Sequence, residues 1–257
     1  MEITNHIPIG CQKCMKCKKQ QVHITFLCNK HCNYCPIPKE KFGLDFIEVS
    51  GTRYSANEVD TIIDKISQDT QIEGISISGG EPFLVFDKVI YLIEKVKKVK
   101  GKDFHVHLYT NGILITEKKL NLLEKIGLDE IRVDSLEIET FEKLKDTKID
   151  VVCEVPCIPE EKYLNQLKKL SIFLDKYNIK YLNLNEFEVT EENQNMVNKL
   201  NLTVKNDRIV ESKNGAEEIK KFIKRNKLDI NVFFCTFEIS DRIRISRNRV
   251  NVWIYFL

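Results

Sequence analysis

A repeated alternation of short strands and helices is the feature that most restricts how this chain can fold. The pattern predicts strands at residues 21–27, 72–78, 104–109, 130–134, 150–155 and 180–185, with helices between them. Connections of this length are typical of a parallel sheet with right-handed crossovers. Six strands are fewer than the eight of a closed barrel. The sequence therefore predicts an α/β fold, an open partial (βα)6 barrel over residues 21–190.

The pattern changes on both sides of this predicted barrel. Residues 1–20 carry three cysteines and are interpreted as a separate N-terminal cysteine segment that forms a second metal site. After about residue 190 the sequence predicts a hairpin at 202–210, a helix at 215–226, a strand at 229–234 and two short closing strands. We interpret residues 191–257 as a small C-terminal α+β appendage packed on the barrel.

Composition and charge argue against membrane and secreted classes of protein. The 257 residues include no apolar run near the roughly 20 residues that a membrane span needs, and the first residues do not resemble a secretory signal. A net charge of +2 predicts neither membrane nor nucleic-acid binding by itself. Nine cysteines in clustered spacing indicate metal ligation rather than a disulfide framework, which favours a cytoplasmic location.

Polar side chains share one face of the predicted strands, although strands of buried parallel sheets are normally almost wholly apolar. A buried polar group without a partner would cost about 1–3 kcal/mol. We therefore expect the sheet to curve around a wet, ligand-sized cavity; the alternative is a solvent-exposed concave face without a ligand. With a period of two, the polar face carries Ser76, Ser78, His105, His107, Tyr109, Arg132, Asp134, Glu154, Asn183 and Asn185.

Three cysteines follow the first predicted strand in a C-x3-C-x2-C loop formed by Cys28, Cys32 and Cys35. Three thiolates on one loop can hold three corners of an iron–sulfur cube and leave the fourth iron open to chemistry. The alternative is a zinc site, which would need a fourth ligand. A turn of sequence Gly79-Gly80-Glu81-Pro82 follows the next strand, and a zinc site does not account for it.

This loop and turn together resemble the radical S-adenosylmethionine (SAM) superfamily. Thr110-Asn111-Gly112, after the third strand, is similar to the activating-enzyme branch of that superfamily. Gly10 with the N-terminal cysteines, the strand through Asn183 and Asn185, and Cys235 resemble archaeal-type proteins related to pyruvate formate-lyase activating enzyme.

The resemblance implies a cofactor set and a site. Cys28, Cys32 and Cys35 would hold a [4Fe–4S] cluster whose open iron binds the amino and carboxylate groups of SAM. One electron from a ferredoxin- or flavodoxin-type reductant would split SAM, and the 5′-deoxyadenosyl radical would abstract hydrogen from a substrate. The further SAM contacts that the resemblance implies are the backbone of Gly79 and Gly80, the carboxylate of Glu81, Tyr34 near the adenine, and Tyr109, Arg132 and Asp134 near ribose or carboxylate.

A second group of cysteines stands apart from this loop. Cys11, Cys14 and Cys17 form a C-x2-C-x2-C triplet, for which Cys235 is our first choice of a fourth ligand. The group is interpreted as a second iron–sulfur cluster or a zinc site. The remaining alternative is three cysteines that bind no metal. Cys153 and Cys157 fall on an apolar strand face and are expected to be small buried hydrophobes.

Other functions remain open at the level of sequence. One is an RNA-modifying member of the same superfamily, for which the alternating run with Arg242, Arg244, Arg247 and Arg249 would supply a basic strip; an ordinary charged edge strand is the simpler reading. Another is a zinc- or cluster-bearing binding module without turnover. His105 and His107 either contact a substrate or only line the cavity.

Overall fold

A large, mostly parallel sheet is the centre of the molecule. The computed structural model describes residues 7–190, 193–236 and 238–239. Its strands are β1 Lys19–Thr25, β2 Phe46–Val49, β3 Thr52–Ser55, β4 Gly74–Gly79, β5 His105–Thr110, β6 Glu130–Val133, β7 Asp150–Cys157, β8 Tyr181–Glu186, β9 Val204–Lys205, β10 Arg208–Ile209 and β11 Asn231–Cys235. Nine of them pair in the order β11-β8-β7-β6-β5-β4-β1-β2-β3, and β9 and β10 form a separate hairpin.

Helices follow most of the parallel strands and cover the outer face of the sheet. They are α2 Val59–Gln68, α3 Phe86–Lys100 after a 3₁₀ turn at Pro82–Val85, α4 Glu117–Lys125, α5 Ile138–Glu142, α6 Glu161–Lys176, α7 Gln194–Lys199 and α8 Glu211–Arg225. A further helix, α1 Ile9–Met15, precedes β1 and contacts the inner face of the sheet. In the described part of the chain, no helix is both long and apolar enough to cross a bilayer.

Burial of apolar side chains explains why these helices form and where they pack. The buried residues of α3 are Val89, Leu92, Ile93 and Val96, a spacing that places them on one helical face. The outward residues of the strands, such as Ile75 and Leu108, are fully buried in the same core. Each such side chain contributes about 1.5–3 kcal/mol on leaving water. The layer between the sheet and its covering helices is thus apolar, as the strand pattern predicts.

The six predicted strands form a parallel array, which confirms the expected α/β partial barrel. β1 pairs with β4, and β4 to β8 follow in sequence order, all parallel. β11 adds a further parallel strand beside β8, with Cys235 opposite Asn185. The sheet ends at β3 and β11 within the described residues, so the barrel is open. The predicted hairpin around residues 206–207 is present as β9 and β10.

Two elements are additions to the predicted fold. The hairpin β2–β3 extends the sheet beyond β1, and its two-residue turn at Ser50 and Gly51 has φ values of 51° and 76°. Serine at positive φ is uncommon, so this turn gives a weak sequence signal. The helix α1 lies within the N-terminal cysteine segment. The two closing strands predicted after β11 lie outside the described residues.

Candidate active site

A cavity of about 420 Å³ opens at the carboxyl ends of the parallel strands, where ligands of α/β folds commonly bind. The cysteine loop after β1, the glycine turn after β4 and Asn111 after β5 form one side of it. The segment after β8 forms the opposite side. Its wall includes the predicted residues Cys28, Cys32, Tyr34, Cys35, Gly79, Gly80, Tyr109 and Asp134. The cavity that the polar strand faces predict is therefore present.

The cysteine loop is fixed at both ends by the strand that it follows. Phe26 N donates to Leu44 O at 3.0 Å, and Gly43 N donates to Phe26 O at 2.9 Å, so the loop leaves and returns at the same residue. The Cys28, Cys32 and Cys35 side chains are partly buried and line the cavity. Burial and the nearby Asp134 raise the pKa of the Cys32 thiol to about 11. Three thiols on an anchored loop facing a cavity fit the donor set of an open-cornered cluster.

Gly79 and Gly80 are packed directly against the backbone that leads into the cysteine loop. Gly80 N donates to Thr25 O at 2.8 Å, and Glu81 N donates to Leu27 O at 2.7 Å. A Cβ at Gly79, where φ is +123°, would lie 2.0 Å from Thr25 O, and one at Gly80 would lie 2.1 Å from Leu27 O. The glycines are therefore required for contact between two strand ends, in addition to exposing backbone to the cavity.

Replacing Gly79 with alanine should destabilise the protein much more than the same change at Gly101. Both glycines have positive φ, but a Cβ at Gly101 meets nothing within 4 Å. Backbone strain should therefore cost both variants about 1–3 kcal/mol. Only Gly79→Ala also forces a carbonyl out of place, which we expect to add about 2 kcal/mol or more. Urea unfolding of the two variants measures the difference, and equal losses would show that the strand ends separate freely.

Glu81 occupies a different place from the one that the resemblance implies. Its side chain is fully buried and does not line the cavity. The carboxylate accepts hydrogen bonds from Phe83 N at 3.0 Å, Thr110 Oγ1 at 2.9 Å and Asn111 N at 2.7 Å. Burial raises the pKa of this carboxyl group, although these three donors favour its charged form. The side chain joins the ends of β4 and β5 and positions the loop that follows β5.

Asn111 is the main contact between that loop and the cysteines. Its Nδ2 donates to Asn29 Oδ1 at 2.8 Å and lies 4.0 Å from Cys28 Sγ. Its Oδ1 accepts from Ile113 N at 3.0 Å, which fixes the orientation of the amide. The sequence indicates Asn111 only as part of the family resemblance and predicts no contact for its side chain. Its position after a strand that carries other polar side chains was the signal that it faces the same cavity.

Tyr34 and Asp134 form a hydrogen-bonded pair in the cavity wall. Tyr34 Oη donates to Asp134 Oδ1 at 3.0 Å. Burial raises the pKa of Asp134 to about 6, and burial together with the Asp134 charge raises the pKa of Tyr34 well above its usual range. Tyr109 also lines the cavity, and its hydroxyl donates to Glu154 Oε1 at 3.2 Å.

Arg132 does not line the cavity and lies in a charged layer beneath it, in contact with the wall residues Tyr109 and Glu154. Its Nη1 donates to Glu154 Oε2 at 2.6 Å, and its Nε donates to Glu130 Oε1 at 2.5 Å. The side chain is buried. The resemblance implies that Arg132 contacts SAM, but its guanidinium is paired with these two carboxylates. Burial acts to raise the pKa of Glu130, but Arg132, His105 and Lys19 hold it at about 2.

Lys19 and the two histidines complete this charged layer, which we call the floor network: Lys19, His105, His107, Glu130, Arg132 and Glu154. Lys19 Nζ lies 2.9 Å from His105 Nδ1 and 2.5 Å from His107 Nδ1. Burial lowers the pKa of Lys19 to about 7. The histidines lie in this network, outside the cavity wall. Lys19 and Glu130 were not predicted, although Lys19 continues the inward alternation of Gln21 and His23.

The second group of cysteines lies beneath the cavity. Cys11 is buried on α1, Cys14 and Cys17 follow it with partial exposure, and Cys235 is partly buried at the end of β11. Cys153 and Cys157 are in the apolar core, as predicted. Within residues 7–190, 193–236 and 238–239, no three His, Cys, Asp or Glu side chains converge on a point that a single metal ion could occupy. This applies equally to Cys28, Cys32 and Cys35.

Sequence comparisons match the segments that line this cavity. A sequence model of the radical SAM superfamily matches residues 22–138, which include the cysteine loop, the glycine turn and Asn111. A candidate glycyl-radical enzyme activating enzyme of Methanocaldococcus jannaschii is 30% identical over 263 residues, which cover 95% of this chain and 67% of that protein. A GTP 3′,8-cyclase of Staphylococcus epidermidis is 32% identical over 131 residues, covering 50% of this chain and 37% of the enzyme.

Comparisons of structure agree with the fold. Streptococcus suis SuiB bound to the precursor peptide SuiA has a TM-score of 0.60 at 14% identity, over 85% of this chain and 48% of SuiB. SuiB bound to S-adenosylmethionine has a TM-score of 0.58 at 16% identity, over 85% of this chain and 50% of SuiB. The chain thus spans about two thirds of the Methanocaldococcus relative and half or less of SuiB and the cyclase.

Proposed function

Since this chain belongs to the radical SAM superfamily, we propose that the strand-end cavity is its active site and that it cleaves SAM there reductively. Cys28, Cys32 and Cys35 would hold the [4Fe–4S] cluster that the family implies. Bound there, the cluster would supply one electron to SAM and so provide a 5′-deoxyadenosyl radical for hydrogen abstraction. The observation that carries the proposal is that all three cysteines line a cavity with room for a small ligand.

The surrounding residues would orient SAM on one side of the cavity. Gly79 and Gly80 line the wall next to the cysteine loop, where their backbone is open to a methionine amino group. Asn111 holds the loop from β5. Tyr34 offers an aromatic face for the adenine, and its hydrogen bond to Asp134 fixes the orientation of both side chains. Asp134 is then the acceptor best placed for ribose hydroxyl groups.

Glu81 and Arg132 would act as positioning residues for this site. The three hydrogen bonds that Glu81 accepts set the β4 and β5 ends relative to each other. Arg132 holds Glu154, which lines the cavity and also accepts from Tyr109. Substitution of either residue should therefore affect SAM binding through displaced neighbours.

The side of the cavity formed after β8 is left for the substrate. Asn185, Glu186 and Glu188 line it, so a polar substrate group fits this wall. A small molecule, or a protein or RNA side group with an abstractable hydrogen, is consistent with the chemistry. A one-electron reductant of the ferredoxin or flavodoxin type would be the redox partner. The arginine run that would favour RNA, residues 242–249, lies outside the described residues.

SAM cleavage that depends on both cluster and reductant tests the proposal. We expect the anaerobically reconstituted protein to form 5′-deoxyadenosine and methionine from SAM when dithionite is added. The same protein stripped of iron by a chelator should form neither, because the cavity then holds no electron donor. Chromatography of the products measures both. A reconstituted protein that binds its cluster and leaves SAM intact under dithionite would contradict the assignment and favour a binding module without turnover.

A further inference from the structure

The N-terminal helix α1 is inserted against the charged interior of the barrel. Gly10 N donates to Glu130 Oε2 at 3.1 Å. A Cβ at Gly10 would lie 2.4 Å from His107 Nδ1 and 2.7 Å from Arg132 Nη2, so the backbone of α1 directly contacts the floor network. This close approach brings Cys11, the next residue, into the barrel interior, where its side chain is buried.

Two N–H donors are directed at the buried Cys11 sulfur. Its Sγ lies 3.3 Å from Arg132 Nη2 and 3.2 Å from Asn183 Nδ2. Asn183 is buried, and its Oδ1 has no hydrogen-bond partner among the described residues. The amide nitrogen faces both the Cys11 sulfur and Glu154 Oε2, to which it also donates at 3.2 Å. N–H donors directed at a sulfur are typical of the surroundings of thiolate metal ligands.

Two further cysteines of this group follow Cys11 within a few residues along the chain, and the fourth comes from the end of β11. Cys14 lies three residues further along α1 and therefore on the same helical face. The helix ends with Cys17 N donating to Cys14 O at 2.9 Å, and Cys17 has a φ of 58°, which turns the chain back on itself. Cys235, at the end of β11, lies near Cys11 and Cys14.

The orientation of Cys235 follows from the sheet. It pairs with Asn185, whose amide faces the interior and donates to Glu154 at 3.3 Å. Paired residues of neighbouring strands share a face, so Cys235 faces the interior as well. The N-terminal segment and β11 thus place Cys11, Cys14 and Cys235 at one side of the floor network, and Cys17 follows two residues after the end of α1.

We propose that Cys11, Cys14, Cys17 and Cys235 hold a second iron–sulfur cluster beneath the active-site cavity. Four cysteines complete the ligand set of a [4Fe–4S] cluster, so this site has no open iron. A cluster fits these positions better than zinc does. A single zinc ion needs four sulfurs at about 2.3 Å from one point, whereas no three such side chains converge in the described residues. Separate irons at the corners of a cube accept sulfurs that lie further apart.

Iron and zinc content after anaerobic reconstitution tests this second site independently of SAM cleavage. We expect about eight irons per chain in the wild type. About four irons should remain in the Cys28→Ala/Cys32→Ala/Cys35→Ala variant, and also in Cys235→Ser and Cys14→Ser. Cys153→Ala removes a buried thiol outside both groups and is the matched control, which should keep the full content.

Electron paramagnetic resonance and circular dichroism complete the experiment. The reduced triple alanine variant should retain a cluster signal, and that signal should not change on addition of SAM, since all four irons have protein ligands. Circular dichroism establishes that each variant is folded. If Cys14→Ser is not folded, Cys235→Ser at the end of β11 decides the result.

Two results would overturn the second cluster. One is about four irons in the wild type and none in the triple variant, with Cys235→Ser unchanged. The other is about one zinc per chain that is lost on substitution of Cys235. Neither result contradicts the proposed active site, and the first supports a cluster on the cysteine loop. Conversely, a triple variant with about four irons supports the second cluster even if the wild type fails to cleave SAM.

Discussion

Replacing Cys32 with alanine is expected to abolish formation of 5′-deoxyadenosine while leaving the fold intact. The cysteine is the middle ligand of the loop, so the variant keeps two thiols for three corners of the cluster. Its side chain is partly exposed at the cavity, and its removal creates no void in the apolar core. Product formation with dithionite, iron content and thermal unfolding followed by circular dichroism are the measurements.

Cys153→Ala is the control for this experiment, because it removes a fully buried thiol in the core of β7. That variant should be less stable by about 1 kcal/mol and should retain its cleavage activity. The proposed active site would be misplaced if Cys32→Ala cleaved SAM at the wild-type rate. If both variants were folded and both lost activity, the loss could not be assigned to the cysteine loop.

The order of the elements could be predicted from sequence because it depends on local patterning. Each parallel strand from β1 to β8 falls within about two residues of its predicted position, since alternation and helical spacing are properties of the segment itself. The same reasoning predicts the cavity, because polar residues on the inner strand face need partners. The family resemblance rests on three strand ends, and the sequence comparisons confirm it.

Directions of charged side chains could not be predicted in the same way. Glu81 and Arg132 were expected at the ligand, yet both are used to join strands. Two of the three partners of Glu81 lie at the end of β5, and the carboxylate partners of Arg132 lie on β6 and β7. A single strand pattern gives the face on which a residue lies, but the pairing of opposite charges across strands decides where it points.

The floor network shows how this pairing divides the polar interior. A cavity lies at the carboxyl ends of the strands. The inward-facing residues nearer the amino ends contact one another and α1. Lys19 is fully buried with its Nζ within hydrogen-bonding distance of two imidazole nitrogens, and Glu130 is buried against Arg132. The sequence predicts a wet cavity along the whole polar face. In the described residues, only the part at the carboxyl ends of the strands is open to a ligand.

Glu130→Gln is expected to lower the free energy of unfolding by about 3–5 kcal/mol at pH 7. The substitution leaves the Arg132 guanidinium buried with one carboxylate in place of two, and it weakens the acceptor of Gly10 N. The pKa of Glu130 is lowered from 4.5 to about 2, which by itself corresponds to roughly 3 kcal/mol. Urea unfolding of the metal-free chain measures the loss. α1 should also become more accessible to proteases.

Glu73→Gln is a matched comparison, because Glu73 also ties α1 to the barrel, through Lys13 at 2.9 Å. That carboxylate is exposed, so its loss should cost less than about 1 kcal/mol. The pH dependence separates the two further. Because the folded pKa of Glu130 is depressed, its stabilisation is present above about pH 4.5 and is lost as the pH falls towards 2. The difference between wild type and Glu130→Gln should therefore shrink over that range, whereas equal stability of the two proteins at pH 7 would show that the floor network does not hold α1 in place.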